Sequence, residues 1–355
     1  MSNNEIDFLG RKEAKLIAGV AILMMIFHHI FGFSEYRING NDFIESITIQ
    51  GISIERMIAA FGKLCVALFA FCSGYAIWKR QEDYLHIREI SSRIIRFLYN
   101  YWIILALFLL YGAMLKDPLP QGFDFIYNLI GLRTGPQEPY INIVFAWYVA
   151  TYVVLVLISP FLLKLFSGKL LWLDILLYIA ILLGIDLVQG VWHSILGPIP
   201  VAVFGMIVSK WGLFNRLNSI THQYSIWIFL IAVICIALIR QALILLNWKI
   251  VGIEGLFAAL FIFAIINIFR KLSWLFLEKI VILLGRYSMN LWYLHGIFFT
   301  GSRPLQELLY SPQYSLFIFV FAVVGLLPVA IGCSWIQKTI YQYIVCKLDK
   351  ILKVR

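Results

Sequence analysis

The stretch Ala14-Lys15-Leu16-Ile17-Ala18-Gly19-Val20-Ala21-Ile22-Leu23-Met24-Met25-Ile26-Phe27-His28-His29-Ile30-Phe31-Gly32-Phe33 decides the fold. At about 1.5 Å per residue, a helix of this length crosses the roughly 30 Å hydrocarbon core of a bilayer. A cleavable leader would end its apolar stretch at a small-residue site, whereas this run carries Met24, Phe27 and two histidines. It reads as a retained membrane helix.

Further apolar runs follow almost to the C-terminus. The expected spans are 14–34, 58–78, 97–115, 143–164, 170–187, 194–209, 224–246, 251–270, 280–300 and 314–338. The fold class expected is all-α, a polytopic integral membrane bundle of about ten helices forming one membrane-embedded domain over 1–355. With 62% hydrophobic and 14% charged residues and a mean hydropathy of +0.87, the chain lacks the polar residues that a water-facing surface needs. Cys65, Cys72, Cys235, Cys333 and Cys346 show no paired spacing, so neither a disulfide framework nor a metal site is implied.

The net charge of +10 first reports orientation and gives no reason to expect nucleic acid. Alternate loops are basic: the N-terminus, 79–96, 164–169, 210–216, 270–279 and the tail from Lys338 hold twenty Lys and Arg, against six at Arg37, Arg56, Lys116, Arg133, Lys249 and Arg303. This places both termini in the cytoplasm. The outer segments 35–57 and 116–142 contain turn-rich pieces, Asn39-Gly40-Asn41-Asp42 and Gly135-Pro136-Gln137-Glu138-Pro139, suited to capping an outer mouth. Lys347, Lys350, Lys353 and Arg355 alternate with apolar residues and suit anionic membrane lipids.

Ionisable residues inside a bilayer must pair, face a wet cavity or act, so they form the shortlist of candidates. His28 and His29 point about 100° apart around their helix, and a neutral imidazole is the base needed to take a proton from a hydroxyl near neutral pH. The bland alternative is a histidine that satisfies a neighbouring carbonyl, and it fits His28 better than His29. Lys15 lies about 21 Å before His29 on nearly the same helix face. Arg93 and Arg96, three residues apart, place two guanidiniums on one face at the expected cytoplasmic surface, a geometry suited to phosphate oxygens as well as to marking the inner side. Ser73 and Gly74, before Tyr75, admit either a neighbouring helix or a narrow ligand. Ser288, Trp292 and His295 form a polar stripe that either lines a cavity or holds helices together, and Trp147-Tyr148 is either an interfacial belt or a binding wall. Arg240, Glu254 and Asp186 sit near outer helix ends, where pairing with Arg56 or Lys249 is one arrangement among several.

Together these pieces resemble the membrane-bound acyltransferase family 3, whose bacterial members O-acylate envelope glycans. Gly19 to His29 is similar to the family's first-helix signature, and Phe69 to Tyr75 to its second-helix element. Arg93-Ile94-Ile95-Arg96 is similar to its RxxR motif, Trp147-Tyr148 to its fourth-helix start, and Gly285 and Ser288 through Tyr293-Leu294-His295 to its late GxxS…YLxH element. The family's basic residue eleven positions before the histidine is replaced here by Ala18, counted from His29, and Lys15 is the nearby cation.

The resemblance implies an O-acyltransferase, foremost an O-acetyltransferase, of the bacterial cytoplasmic membrane. It implies acetyl-CoA or another acyl-CoA as donor substrate, no permanently bound cofactor, and a lipid-linked or surface glycan as acceptor. It also implies roles: His29 or His28 as base with Lys15 as its cation, Arg93, Arg96, Ser73 and Tyr75 toward the donor, and Trp147, Ser288 and His295 toward the acceptor. Self-association is left open. The alternative is a membrane transporter or flippase of an envelope precursor, since a wet, charged interior serves permeation too.

Overall fold

The computed structural model describes residues 7–33, 42–49, 51–116, 118–132, 143, 146–246, 253–272, 274–299 and 303–352. The turns at 39–41 and 135–139, Arg37, Arg133, Lys249, Lys353 and Arg355 lie outside these residues, as do the side chains of 191, 303 and 344–352.

Among the described residues the protein is all-α apart from one small hairpin. In chain order it runs α1 (Arg11–Gly32), β1 (Thr48–Ile49), β2 (Ile52–Ser53), α2 (Ile54–Gly62), α3 (Leu64–Lys79), a 3-10 turn (Gln81–Tyr84), α4 (Ile87–Met114), α5 (Phe123–Leu129) and α6 (Trp147–Leu165). It continues with α7 (Leu171–Asp186), α8 (Val191–Leu196), α9 (Ile199–Lys210), α10 (Leu213–Thr221), α11 (Ile226–Leu245), α12 (Glu254–Lys271), α13 (Leu275–Arg286) and α14 (Ser288–Leu294). A second 3-10 turn (His295–Phe299), α15 (Arg303–Tyr310) and α16 (Ser315–Leu352) complete it. β1 and β2 pair antiparallel, Thr48 opposite Ser53 and Ile49 opposite Ile52.

Among the described residues, seven stretches are long and apolar enough to cross a membrane: 11–32, 54–79, 87–114, 147–165, 192–210, 226–245 and 315–343. The other three expected spans take different forms. α7 has only 16 residues, and α12 begins on Glu254 and ends on Arg270-Lys271. The stretch expected as one helix over 280–300 is divided after Arg286, where Tyr287 leaves helical geometry at φ −106° and ψ 11°. Gly285 is a weak helix former, and just past the break the Asn290 amide is bonded to the Ala330 carbonyl and Gln337. The span at 54–79 is likewise interrupted, at Lys63 between α2 and α3.

The chain forms two compact units. The first comprises residues 1–34, 45–94 and 147–286. Its core is apolar, built from Ile77, Leu155, Val156, Ala202, Val203 and Met206 with Trp78 and Tyr152 packed against it. Two helix crossings are set by glycine. A Cβ on Gly74 of α3 would lie 1.7 Å from the Ala202 carbonyl of α9, and one on Gly285 of α13 would lie 1.8 Å from the Lys15 carbonyl of α1. Backbones therefore touch directly at both crossings, as expected where small residues replace the hydrophobic effect as the means of association in lipid.

The same unit turns apolar side chains outward and buries a few charged ones within its apolar core. Ile228, Ile231, Ile234 and Leu238 of α11 are exposed, while the buried residues of that helix are Phe229, Ile236 and Arg240. On α7, Trp172, Ile175, Leu176, Ile179 and Leu183 are exposed while Asp174 is buried. Asp174 accepts from Lys210 Nζ at 2.5 Å and Trp211 Nε1 at 2.7 Å, and Lys210 also donates to the Phe166 carbonyl at 2.7 Å. Pro160 cannot donate to the Val156 carbonyl four residues back, and Ser159 Oγ fills that place at 2.7 Å.

The second unit comprises residues 35–44, 95–146 and 287–355. Its interior is tied by a reciprocal amide pair, Asn290 Nδ2 to Gln337 Oε1 at 3.1 Å and Gln337 Nε2 to Asn290 Oδ1 at 3.0 Å. The same Gln337 amide reaches the Asn100 carbonyl at 3.0 Å, so one contact joins α4, α14 and α16.

Candidate active site

α2 ends at Gly62, where the Lys63 N–H turns to the Phe61 carbonyl, so the carbonyls of Ala59 and Ala60 are open to partners from other helices. Inside a bilayer such carbonyls need donors from elsewhere. The Nδ1 of buried His28 lies 2.6 Å from the Ala59 carbonyl. A carbonyl only accepts, so Nδ1 carries the hydrogen, and in the neutral ring Nε2 keeps its lone pair. Two glycines make the room: a Cβ on Gly32 would sit 3.3 Å from His28 Nδ1, and one on Gly62 would sit 2.7 Å from the Met24 carbonyl and 3.1 Å from His28 Cβ.

His29 is half-buried, and its Nδ1 lies 3.1 Å from the Met25 carbonyl one turn back on α1. In the neutral ring the same reasoning places its hydrogen on Nδ1 and the lone pair on Nε2. Its ring stacks on Phe33 with centroids 5.6 Å apart, and the His28 ring is 5.0 Å away. The site thus holds two imidazoles whose neutral forms carry the lone pair on Nε2.

The next carbonyl on the broken end of α2 is also occupied. Arg240 Nη1 donates to the Ala60 carbonyl at 2.7 Å, while Nη2 and Nε donate to Glu254 Oε1 at 2.8 and 3.3 Å. The Arg240 side chain is 1% exposed and that of Glu254 is 17% exposed. Sequence reasoning left Arg240 and Glu254 without an assignment. An arginine inside the run Ile239-Arg240-Gln241 of an otherwise apolar helix was the available signal. Arg56 instead pairs with Glu45 at 3.1 Å.

Lys15 is exposed at the opposite end of α1, and the positive charges acting on His28 are those of Lys63 and Arg240. The structure therefore brings two basic side chains to the histidine end that the Lys15 expectation did not name.

Arg93 donates through Nη2 to Asp83 at 2.7 Å and through Nη1 to the Tyr84 hydroxyl at 3.4 Å, with its guanidinium 4.4 Å from the Tyr84 ring centroid. Burial pushes the Tyr84 hydroxyl above its ordinary pKa, with Arg93 partly opposing the shift, so the ring stays neutral. Arg93 Nε is buried without a hydrogen-bond partner. Asp83 also pairs with Arg80 at 2.7 Å. Arg96 is exposed, one turn further along α4, with its guanidinium 5.7 Å from the Tyr341 ring.

The remaining candidates are placed as follows. Ser73 Oγ donates to the Phe69 carbonyl at 2.9 Å and shares a hydrogen bond with Tyr148. Tyr75 donates to Asp7 at 2.6 Å. Trp147 is half-buried, edge-on to Tyr148 with centroids 6.0 Å apart. In the second unit Ser288 and His295 are both buried, and His295 Nδ1 is hydrogen-bonded to the Trp292 carbonyl. His28, His29, Ser73, Tyr75, Arg93 and Trp147 belong to the first unit, and Arg96, Ser288 and His295 to the second. Among the described residues no group of three or more His, Cys, Asp and Glu is arranged to hold a metal ion.

A family model described as an acyltransferase domain, the third of that name, matches residues 15–336. No curated protein and no solved structure matches the chain.

Proposed function

Since the chain belongs to acyltransferase family 3, whose domain covers residues 15–336, we propose that this multi-pass membrane acyltransferase moves an acyl group, foremost acetyl, from coenzyme A to a glycan hydroxyl. The donor approaches from the cytoplasmic side, where Arg93 and Arg96 meet its phosphates, and the acceptor is a lipid-linked or capsular glycan of a bacterial envelope. Arginine forks suit phosphate oxygens, and the unpartnered Nε of Arg93 is a donor still to be used.

His29 takes the proton of the acceptor hydroxyl on Nε2. The alkoxide oxygen attacks the thioester carbonyl, the carbon–sulfur bond breaks, and the proton passes to the leaving thiolate. The products are the glycan ester and free coenzyme A. The observation that carries this reading is the Nδ1 contact of His29 with the Met25 carbonyl, which holds the half-buried ring in the accepting tautomer.

The test is incubation of purified protein with radiolabelled acetyl coenzyme A and a lipid extract from the producing cells. Label appearing in glycan ester, removable by mild base, is the expected result. Movement of unmodified glycan across proteoliposomes with no ester formed would replace the enzyme reading with the transporter one.

A further inference from the structure

We propose that Arg240 and Glu254 are positioning residues for the histidine end of α1, an assignment that rests on the reading of His29 as the base. Ala59 and Ala60 are consecutive residues in the last turn of α2, and their carbonyls are held by different parts of the molecule: Ala59 by His28 from α1, Ala60 by Arg240 from α11. The guanidinium is in turn fixed by Glu254 at the start of α12. Three helices therefore converge on one peptide turn, and the turn receives the ring that packs 5.0 Å from His29.

The chemistry of the pair argues for a function beyond adhesion. A buried ion pair adds little net stability compared with apolar residues of similar size, because desolvation offsets the attraction. Here the carboxylate uses one oxygen for both guanidinium contacts, and Glu254 Oε2 is buried without a hydrogen-bond partner. The pair is thus not arranged for greatest mutual satisfaction. Its third bond, to the Ala60 carbonyl, is the one an apolar replacement could not supply. Arg240 sets where the broken end of α2 lies, the Ala59 carbonyl follows by covalent connection, and His28 and its neighbouring ring follow the carbonyl.

Replacing both partners by apolar residues, Arg240→Met with Glu254→Leu, removes the bond to Ala60 without stranding a charge. Turnover of acetyl coenzyme A with the lipid-linked glycan extract, counted per donor-binding site, should fall about 100-fold with the donor KM unchanged, the size of effect expected from misplacing a reacting group by about 1 Å. Arg240→Lys is the second variant and covers the case in which the apolar pair does not fold. A lysine point charge cannot serve Glu254 and Ala60 with a rigid fork, so kcat should fall less, at the same KM. Wild-type kcat in either folded variant would overturn the proposal. A proportionate loss of donor affinity would overturn it too, since that marks a general packing role. If instead the wild type transfers no acetyl group, or His29→Gln keeps full activity, the reading of the base has failed, not the coupling of Arg240 to it.

Discussion

His28 and His29 are separated by one peptide bond and differ in what their Nδ1 atoms meet: a carbonyl of another helix for His28, a carbonyl of its own helix for His29. That difference predicts opposite tolerance to amide substitution. The amide nitrogen of asparagine lies where Nδ1 does and can still donate to Ala59, so His28→Asn should retain more activity than His28→Gln. His29→Asn and His29→Gln should both lose about 100-fold to 10,000-fold in turnover, because neither amide accepts a proton near neutral pH. Single-turnover rates on folded, donor-binding protein check this. Equal loss in His28→Asn and His29→Asn would make His28 a participant in proton transfer. At the donor end, Arg93→Ala should raise the KM for acetyl coenzyme A with little change in kcat, and Arg93→Lys should recover part of it. Unchanged donor affinity would leave Arg93 as the partner of Asp83 and Tyr84 only. The sequence singled out both histidines and Arg93 because histidines in an apolar run and paired arginines are visible in one dimension. It did not assign Arg240 to Ala60, because that bond joins residues 180 apart through a carbonyl, and carbonyls carry no sequence signature.

Helices that cross with backbones in contact tolerate no added carbon at the crossing. Gly74→Ala would bring its Cβ against the Ala202 carbonyl of α9, and overpacking of this kind costs about 1–3 kcal/mol in ordinary cores. A rigid carbonyl has less room to yield than a side chain, so the upper end is expected, seen as a lower melting temperature in detergent. Gly184→Ala on α7, where a Cβ meets nothing within 4 Å, is the control and should not lower the melting temperature. Equal behaviour of the two variants would contradict the crossing geometry. Ser73-Gly74 offers room for a helix or for a ligand, and at Gly74 the space is occupied by α9. The choice was not available from the sequence, since both uses select small residues. The interruptions at Lys63 and Tyr287 were also illegible, because hydropathy averages over a window and a single turn of lost hydrogen bonds leaves the average intact.

For the whole molecule, hydropathy announced an all-α membrane protein, since the apolar residues needed to face lipid are most of the composition. The number of crossings is harder to read, because α7, α12 and the divided stretch after Leu275 fall below the usual length or charge criteria. The charge asymmetry still makes a topological prediction. In a cysteine-free background, Gln137→Cys should react with an impermeant thiol reagent on intact cells and Glu82→Cys should react only after the cells are opened. The reverse pattern would place Arg93 on the outer side and remove the cytoplasmic donor from the mechanism.

The turn at Ala59 and Ala60 also has a history during synthesis. Its partner Arg240 is 180 residues later in the chain, and at roughly 5–20 residues per second it emerges on the order of ten to forty seconds after Ala60. During that interval a backbone carbonyl and the newly inserted helices around it wait for the arginine that completes them. Nascent chains halted before residue 240 should therefore be held at the insertion machinery longer, and degraded faster on release, than chains halted after Glu254, a difference that timed ribosome-arrest and pulse-chase measurements would register.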